Sequence, residues 1–262
     1  MDVIRSRQNS HLKAIRKLRR SRGEAALLEG EHLVREAVRA GLRLEWLLLT
    51  PRQAETGWGE ELRGSSRIGS VQLVLPELLE SVCDADSPYG PVALCELPRS
   101  GVGSLPVRAG GCYLLLDRIQ DPGNLGALAR VAEATACAGL ALTPGCVHPN
   151  HPRALRASAG SLLRLPAAVD AEPEALLAHL LTIGPALVGL SAHGGEPLAG
   201  SGALDGSLVL ALGSEGAGLA AGIVARLDRS VTIPLAPPVE SLNVAVAAAV
   251  ALFERRRAAR GD

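Results

Sequence analysis

Aromatic rings are almost absent from this chain: one phenylalanine, two tyrosines and two tryptophans make up 2% of its 262 residues. Its core must be filled by Leu, Val and Ala, and the 47% share of hydrophobic residues is large enough to exclude disorder. Long apolar runs are missing too. None reaches the roughly 20 residues needed to cross a bilayer, and the N-terminus is basic and polar where a signal peptide is apolar, so a soluble, cytoplasmic protein without membrane contact is expected. Net charge is absent, with 27 Lys and Arg against 27 Asp and Glu, so the overall balance selects no partner. Cysteine pairs are lacking as well: Cys83, Cys95, Cys112, Cys137 and Cys146 are odd in number, widely spaced and never C-x-x-C. They are expected as reduced, mostly buried thiols, with no disulfide framework or zinc site. His148 and His151 are the only close histidines, in a loop holding two prolines and no third ligand, so no metal is expected.

What is present begins with a local excess of charge. Between Arg5 and Arg22 lie eight Lys or Arg residues and no acid, while Leu12, Ile15 and Leu18 recur at helical spacing. An amphipathic first helix with a positive outer side follows, either a solvated face or a surface for phosphates. A second helix is expected over 31–40 with Gly41 as its stop, then strands over 44–49 and 71–75 and a short helix over 76–82. Residues 98–110 hold the prolines and glycines of a linker, which sets domain boundaries at 1–97 and 111–262. Beyond it, strands are expected at 113–116, 140–142, 187–190, 208–212 and 231–233. Helices are expected over 125–136 and 243–257. Continuous apolar strands alternating with helices predict a parallel α/β sheet buried on both faces.

Ligands in such sheets bind beyond the carboxyl ends of the strands. Three segments there are rich in glycine, proline and polar groups: DRIQDPGNLG over 117–126 leading to Arg130, GSEGAGL over 213–219, and IPLAPPVESLNV over 233–244. In the first, Asn124 is expected to cap a helix and Arg130 either to sit at the surface or to grip a phosphate. In the second, Glu215 is either an acid at a helix N-terminus or a ligand contact. In the third, Ser241 and Asn243 stand where an Ala- and Val-rich helix begins, and capping and binding are compatible there. A nucleotide-binding Rossmann site is excluded, since Gly101 and Gly103 follow no strand and no third glycine is placed to complete the loop.

Taken in order, the three segments closely resemble the signature motifs of the SpoU (TrmH-like) RNA 2′-O-ribose methyltransferases of the SPOUT superfamily. Asn9, Lys13, Leu18, Glu29, Gly30 and residues 37–41 resemble the L30e-like substrate-binding domain that precedes the catalytic domain in many members. The resemblance implies a C-terminal trefoil-knot α/β domain after a smaller L30e-like domain, S-adenosylmethionine as cofactor, and a homodimer. It implies that Gly213, Ile233 and Leu242 contact the cofactor, and that Asn124, Arg130, Glu215, Ser241 and Asn243 surround the reacting ribose and the dimer edge. Lys13, Arg16, Lys17 and Arg20 would bind RNA. Pro237, Pro238 and Arg118 depart from the family pattern, which favours small residues there. The function implied is 2′-O-methylation of structured RNA, large-subunit ribosomal RNA ahead of transfer RNA, with a non-catalytic RNA-binding relative as the rival. On this layout, deleting residues 1–105 is expected to leave a folded, cofactor-binding dimer.

Overall fold

Residues 3–19, 25–83, 90–97, 99 and 101–259 are described by a computed structural model; Arg20 and Arg22 lie outside them. Two compact units emerge, one of Met1–Pro98 with Asn150–Arg164, the other of Arg99–Pro149 with Leu165–Asp262.

The first unit opens on a short strand that the helical pattern of the N-terminus hides, β1 (Val3–Ile4), followed by α1 (Ser10–Leu18), β2 (Ala25–Glu29) and α2 (Glu31–Arg39). Then come β3 (Leu44–Leu49), α3 (Pro51–Ala54), α4 (Gly57–Arg63), β4 (Val71–Val74), α5 (Pro76–Glu80) and β5 (Val92–Glu96). The five strands form one sheet in the order β1-β4-β3-β5-β2, parallel on the β1 side and antiparallel around β5. Helix α1 buries Leu12 and Ile15 completely against Leu27, Trp46 and Leu48 and leaves Lys13 and Lys17 exposed, the amphipathic arrangement its spacing predicts. Asn9 caps it by accepting from the His11 N–H, and Gly41 ends the turn after α2 at φ +76°.

The boundaries read from composition need amending in two places. Residues 98–110 are not a free linker: Leu105 lies in the core of the second unit, and Tyr113 Oη donates to the Pro106 carbonyl while accepting from the Arg108 N–H at 3.0 Å. The second amendment is larger. After β6 (Cys112–Asp117), α6 (Pro122–Ala134) and β7 (Gly139–Leu142), the chain enters the first unit as α7 (Pro152–Ala157) and α8 (Ser161–Arg164), with α7 packed on β2. Ala154, Leu155, Leu162 and Leu163 are buried there. Glu29, with its side chain 1% exposed, pairs with Arg19 on one side and Arg156 at 3.1 Å on the other. Arg164 reaches Glu36 at 2.7 Å, and Asn150 Nδ2 donates to the Leu97 carbonyl at 2.7 Å. His151 Nδ1 accepts from the Arg153 N–H and caps the start of α7.

Back in the second unit run β8 (Ala167–Ala168), α9 (Pro173–His179), β9 (Ala186–Ser191), β10 (Glu196–Pro197), β11 (Leu208–Gly213), α10 (Ala221–Val224), β12 (Arg229–Thr232) and α11 (Val244–Ala258). Seven strands pair in the order β10-β12-β9-β11-β6-β7-β8, every pair parallel. The central strands β6 and β11 are apolar and buried on both faces, as a covered parallel sheet requires. Helices α6 and α11 pack on each other, bringing the first and third glycine- and proline-rich segments to one end of the sheet.

Candidate active site

At the end of β6 the buried Asp117 carboxylate collects donors from three directions. Oδ1 accepts from Thr143 Oγ1 at 3.1 Å, Oδ2 accepts from the Ala220 N–H at 2.7 Å, and Arg118 Nη2 donates to Oδ2 at 3.0 Å. One carboxylate thus joins the ends of β6 and β7 to the loop after β11. Beside it, Cys146 Sγ donates to the Leu116 carbonyl and accepts from the Ile119 N–H, and burial raises its pKa, keeping the thiol protonated.

Helix α6 begins one turn earlier than its apolar pattern suggests. Asp121 is the N-cap, Pro122 takes the first helical position, and Asp121 Oδ1 accepts from the Asn124 N–H at 2.8 Å. The expectation that Asn124 caps the helix is therefore corrected, and its carboxamide is left for other work. The loop after β11 folds back on itself through a bridge between Ser214 and Gly218, with Gly216 and Gly218 at φ +88° and +65°. A Cβ on Gly213 would lie 2.1 Å from the Gly218 carbonyl carbon, so this glycine is demanded by the loop's own closure. Glu215 stands at the exposed tip, six residues before α10 begins, which removes the helix-dipole reading.

Asn243 is the N-cap of α11, its Oδ1 accepting from the Ala245 and Val246 N–H groups. That orientation aims Nδ2 outward, where it donates to Glu215 Oε1 and to Asn124 Oδ1, both at 2.8 Å. Asn124 Nδ2 closes a triangle by donating to Glu215 Oε1 at 3.0 Å. Three residues spread over 119 positions thus meet in one solvent-facing polar cluster. Among the described residues, Glu215 Oε2 and the second Asn124 amide hydrogen have no partner, leaving an acceptor and a donor side by side.

Arg130 is not in this triangle. Six residues beyond Asn124 on α6, it is displaced about 9 Å along the axis and rotated to another face, and it is exposed with no hydrogen bond or ion pair among the described residues. Ser241 is exposed, again without a hydrogen bond there. The third segment also walls a pocket of about 470 Å³, lined by Ala192, His193, Thr232, Ile233, Pro234, Leu235, Pro237, Pro238, Val239 and Glu240. Ile233 is at this wall, whereas Gly213 and Leu242 do not line it. Ala192 and His193 lie outside the three segments that the sequence singles out, yet they follow the end of β9 and obey the same carboxyl-end rule. The volume lies within the range of small-molecule sites, and apolar walls of Ile, Leu, Pro and Val suit a flat heteroaromatic base. Pro237 and Pro238 are joined by a cis peptide bond. On α1, Lys13 and Lys17 are exposed, and Arg16 donates to the Arg7 carbonyl at 3.0 Å.

A family model described as the SpoU rRNA Methylase family matches residues 111–253, and one described as an MRM3-like substrate binding domain matches residues 9–93. The chain is 29% identical over 265 residues to the 23S rRNA (guanosine(2553)-2′-O)-methyltransferase RlmP of Bacillus subtilis (strain 168), covering 98% of this chain and 100% of that protein. It is 30% identical over 244 residues to a 23S rRNA (uridine(2479)-2′-O)-methyltransferase of Streptomyces viridochromogenes, covering 91% and 85%. The crystal structure of the SpoU methyltransferase AviRb from Streptomyces viridochromogenes, in complex with the cofactor AdoMet, matches with a TM-score of 0.88 at 28% identity, over 97% of this chain and 99% of that one. With three loop motifs gathered at one end of a parallel sheet and a family match over more than half its length, the chain belongs to the SpoU rRNA methylase family.

Proposed function

We propose that the chain transfers the methyl group of S-adenosylmethionine to a ribose 2′-hydroxyl of large-subunit ribosomal RNA. The observation that carries this reading is the Asn124, Glu215 and Asn243 triangle, reached by the same segment that walls the pocket. Ile233 and the apolar wall around it would hold the cofactor, with Gly213 shaping the neighbouring loop and Leu242 leading from the pocket to Asn243. Bound there, S-adenosylmethionine supplies a methyl group already activated on a sulfonium. What remains for the protein is to aim a poor nucleophile and accommodate its proton. The free donor and acceptor on Asn124 and Glu215 orient the ribose hydroxyl, with Ser241 at hand for a further bond. Arg130 grips a phosphate of the RNA through its planar fork; a guanidinium keeps its proton in proteins and is no base, so the proton passes to a phosphate oxygen or water.

In this reading the first unit, residues 1–98 with 150–164, docks RNA, with Lys13, Arg16 and Lys17 on α1 facing phosphates, and the second unit, residues 99–149 with 165–262, is the catalytic domain. The hydrogen bond from Asn243 to Asn124, which ties the third segment back to the first, accords with a trefoil-knot threading. The enzyme works as a homodimer in the cytoplasm. Support for the dimer comes from α11, which is apolar on both sides: Val246, Val250 and Phe253 are 50%, 41% and 54% exposed along one stripe of the helix that Asn243 caps. A second copy covering that stripe would join the two sites. Among the described residues no helix is long and apolar enough to cross a membrane.

Mapping 2′-O-methylation in ribosomal and transfer RNA from cells with and without the gene tests the assignment. One ribose of 23S rRNA losing its methyl group is the expected result. A missing mark in transfer RNA alone would move the substrate, and no missing mark together with no cofactor binding would return the protein to a non-catalytic RNA binder.

A further inference from the structure

Arg118 stands in a conformation that its own backbone disfavours. Its φ is +53°, in the left-handed region where a side chain crowds the following carbonyl and glycine is the natural occupant. Such outliers persist only when their surroundings over-determine them, and here they do. The Arg118 N–H donates to Thr143 Oγ1 at 3.1 Å, and the stem of the side chain lies 3.6 Å from where a Cβ on Gly145 would stand. Nε donates to both Asp117 oxygens at 3.2 and 3.3 Å, and Nη2 donates to Asp117 Oδ2 and, at 3.1 Å, to the Gly218 carbonyl.

Gly218 is the far anchor of the Glu215 loop. Its N–H bonds to the Ser214 carbonyl, so the five residues 214–218 close on themselves with Glu215 at the tip. Two of those residues are glycines at positive φ, and such backbone has many alternatives when released. The loop is held from outside at two adjacent points, by Asp117 at the Ala220 N–H and by Arg118 at the Gly218 carbonyl. A planar guanidinium holds a carboxylate and a carbonyl in fixed directions at once, whereas an ammonium can reach both only on a flexible stem and less precisely.

We infer that Arg118 is a positioning residue for the methyl-transfer reaction: it latches the loop of residues 214–218 so that Glu215 stays within reach of Asn124 and Asn243. The inference rests on the reading of that triangle as the ribose-binding site. Arg118 touches none of the triangle's atoms, so its effect must pass through Glu215.

The test is a double-mutant cycle of Arg118→Gly and Glu215→Gln, measured by methyl transfer to RNA under single-turnover conditions, with cofactor affinity by calorimetry. Glycine removes the latch while relieving the backbone, so the variant is expected to melt within a few degrees of the parent. Its kcat should fall about 10- to 100-fold, as a loosened site implies, with cofactor Kd and RNA KM within about two-fold. The double variant should be no slower than Glu215→Gln alone, and Arg118→Lys should recover part of the loss. Parental turnover in Arg118→Gly, or losses that multiply in the double variant, would overturn the latch. A collapse in melting temperature in both Arg118→Gly and Arg118→Lys would overturn it too, by showing a structural role. A fully active Glu215→Gln instead sinks the site reading, whatever Arg118 does.

Discussion

At the scale of single residues, the chain separates groups that build the site from those that act in it. Asn243 does both, since Oδ1 caps α11 while Nδ2 faces Glu215. Asn243→Asp divides the two tasks. Aspartate caps a helix as well as asparagine does, so stability should change by no more than about 0.5 kcal/mol. The outward amide becomes a second carboxylate oxygen against Glu215, however, and methyl transfer should be lost; a folded variant with parental turnover would show that the triangle is only a cap. Arg130→Ala should lower kcat by about 10²-fold, the effect of losing a phosphate clamp that holds the target ribose in line, while cofactor affinity by calorimetry stays within about two-fold. An equal fall in cofactor affinity would place Arg130 in the pocket instead. The residue types and spacing of the motifs were legible in the sequence, but not who meets whom. That Asp121 rather than Asn124 caps α6 depends on where the helix starts, and an apolar pattern locates that only to a turn. Arg130 shares a motif with Asn124, yet a helix turns six residues into a different face.

Elements were legible in proportion to their periodicity. Helices α1, α2 and α11 and strands β3, β4, β6, β7, β9, β11 and β12 lie where the apolar spacing sets them. Strands β2 and β5 were missed because AALLE and VALCE are short apolar runs without alternation, which periodicity cannot assign to strand or helix. The outer stripe of α11 makes a prediction at this scale. The stretch 244–253 of α11 is apolar all round and calls for cover on both sides, so Phe253→Lys should convert a dimer to a monomer in analytical ultracentrifugation and abolish methylation. A parental sedimentation coefficient would move the dimer interface elsewhere. For α1, replacing Lys13, Arg16 and Lys17 with Gln should flatten the dependence of RNA affinity on salt. The log–log slope is expected to become shallower by about 0.7 to 0.9 for each phosphate that the helix no longer neutralises. An unchanged slope would make the basic side of α1 an ordinary solvated face.

For the molecule as a whole, composition pointed to the two α/β parts, whereas the order in which the chain builds them was hidden. Residues 150–164 sit between β7 and β8 of the seven-stranded sheet yet belong to the first unit, and no local pattern signals a detour whose partners are 53 to 128 positions away. The simple truncation is expected to fail for this reason. Removing residues 1–105 takes away Glu29, Glu36 and β2, leaves α7 and α8 with bare leucines, and also removes Leu105 from the other core. Each uncovered leucine costs about 1.5–3 kcal/mol, so the fragment should aggregate or be cut by trypsin at Arg153, Arg156 or Arg164. A monodisperse fragment resistant to trypsin would show that the detour folds without its cover. The same detour has a converse. The chain passes between units after Pro98, after Pro149 and after Arg164, so a single break near Arg99 severs only one of three strands of connection. Residues 1–98 and 99–262, expressed as separate polypeptides, should find each other through β2 and α7 and restore methylation without fusion partners. The protein would then be a two-piece enzyme whose halves carry their own adhesive.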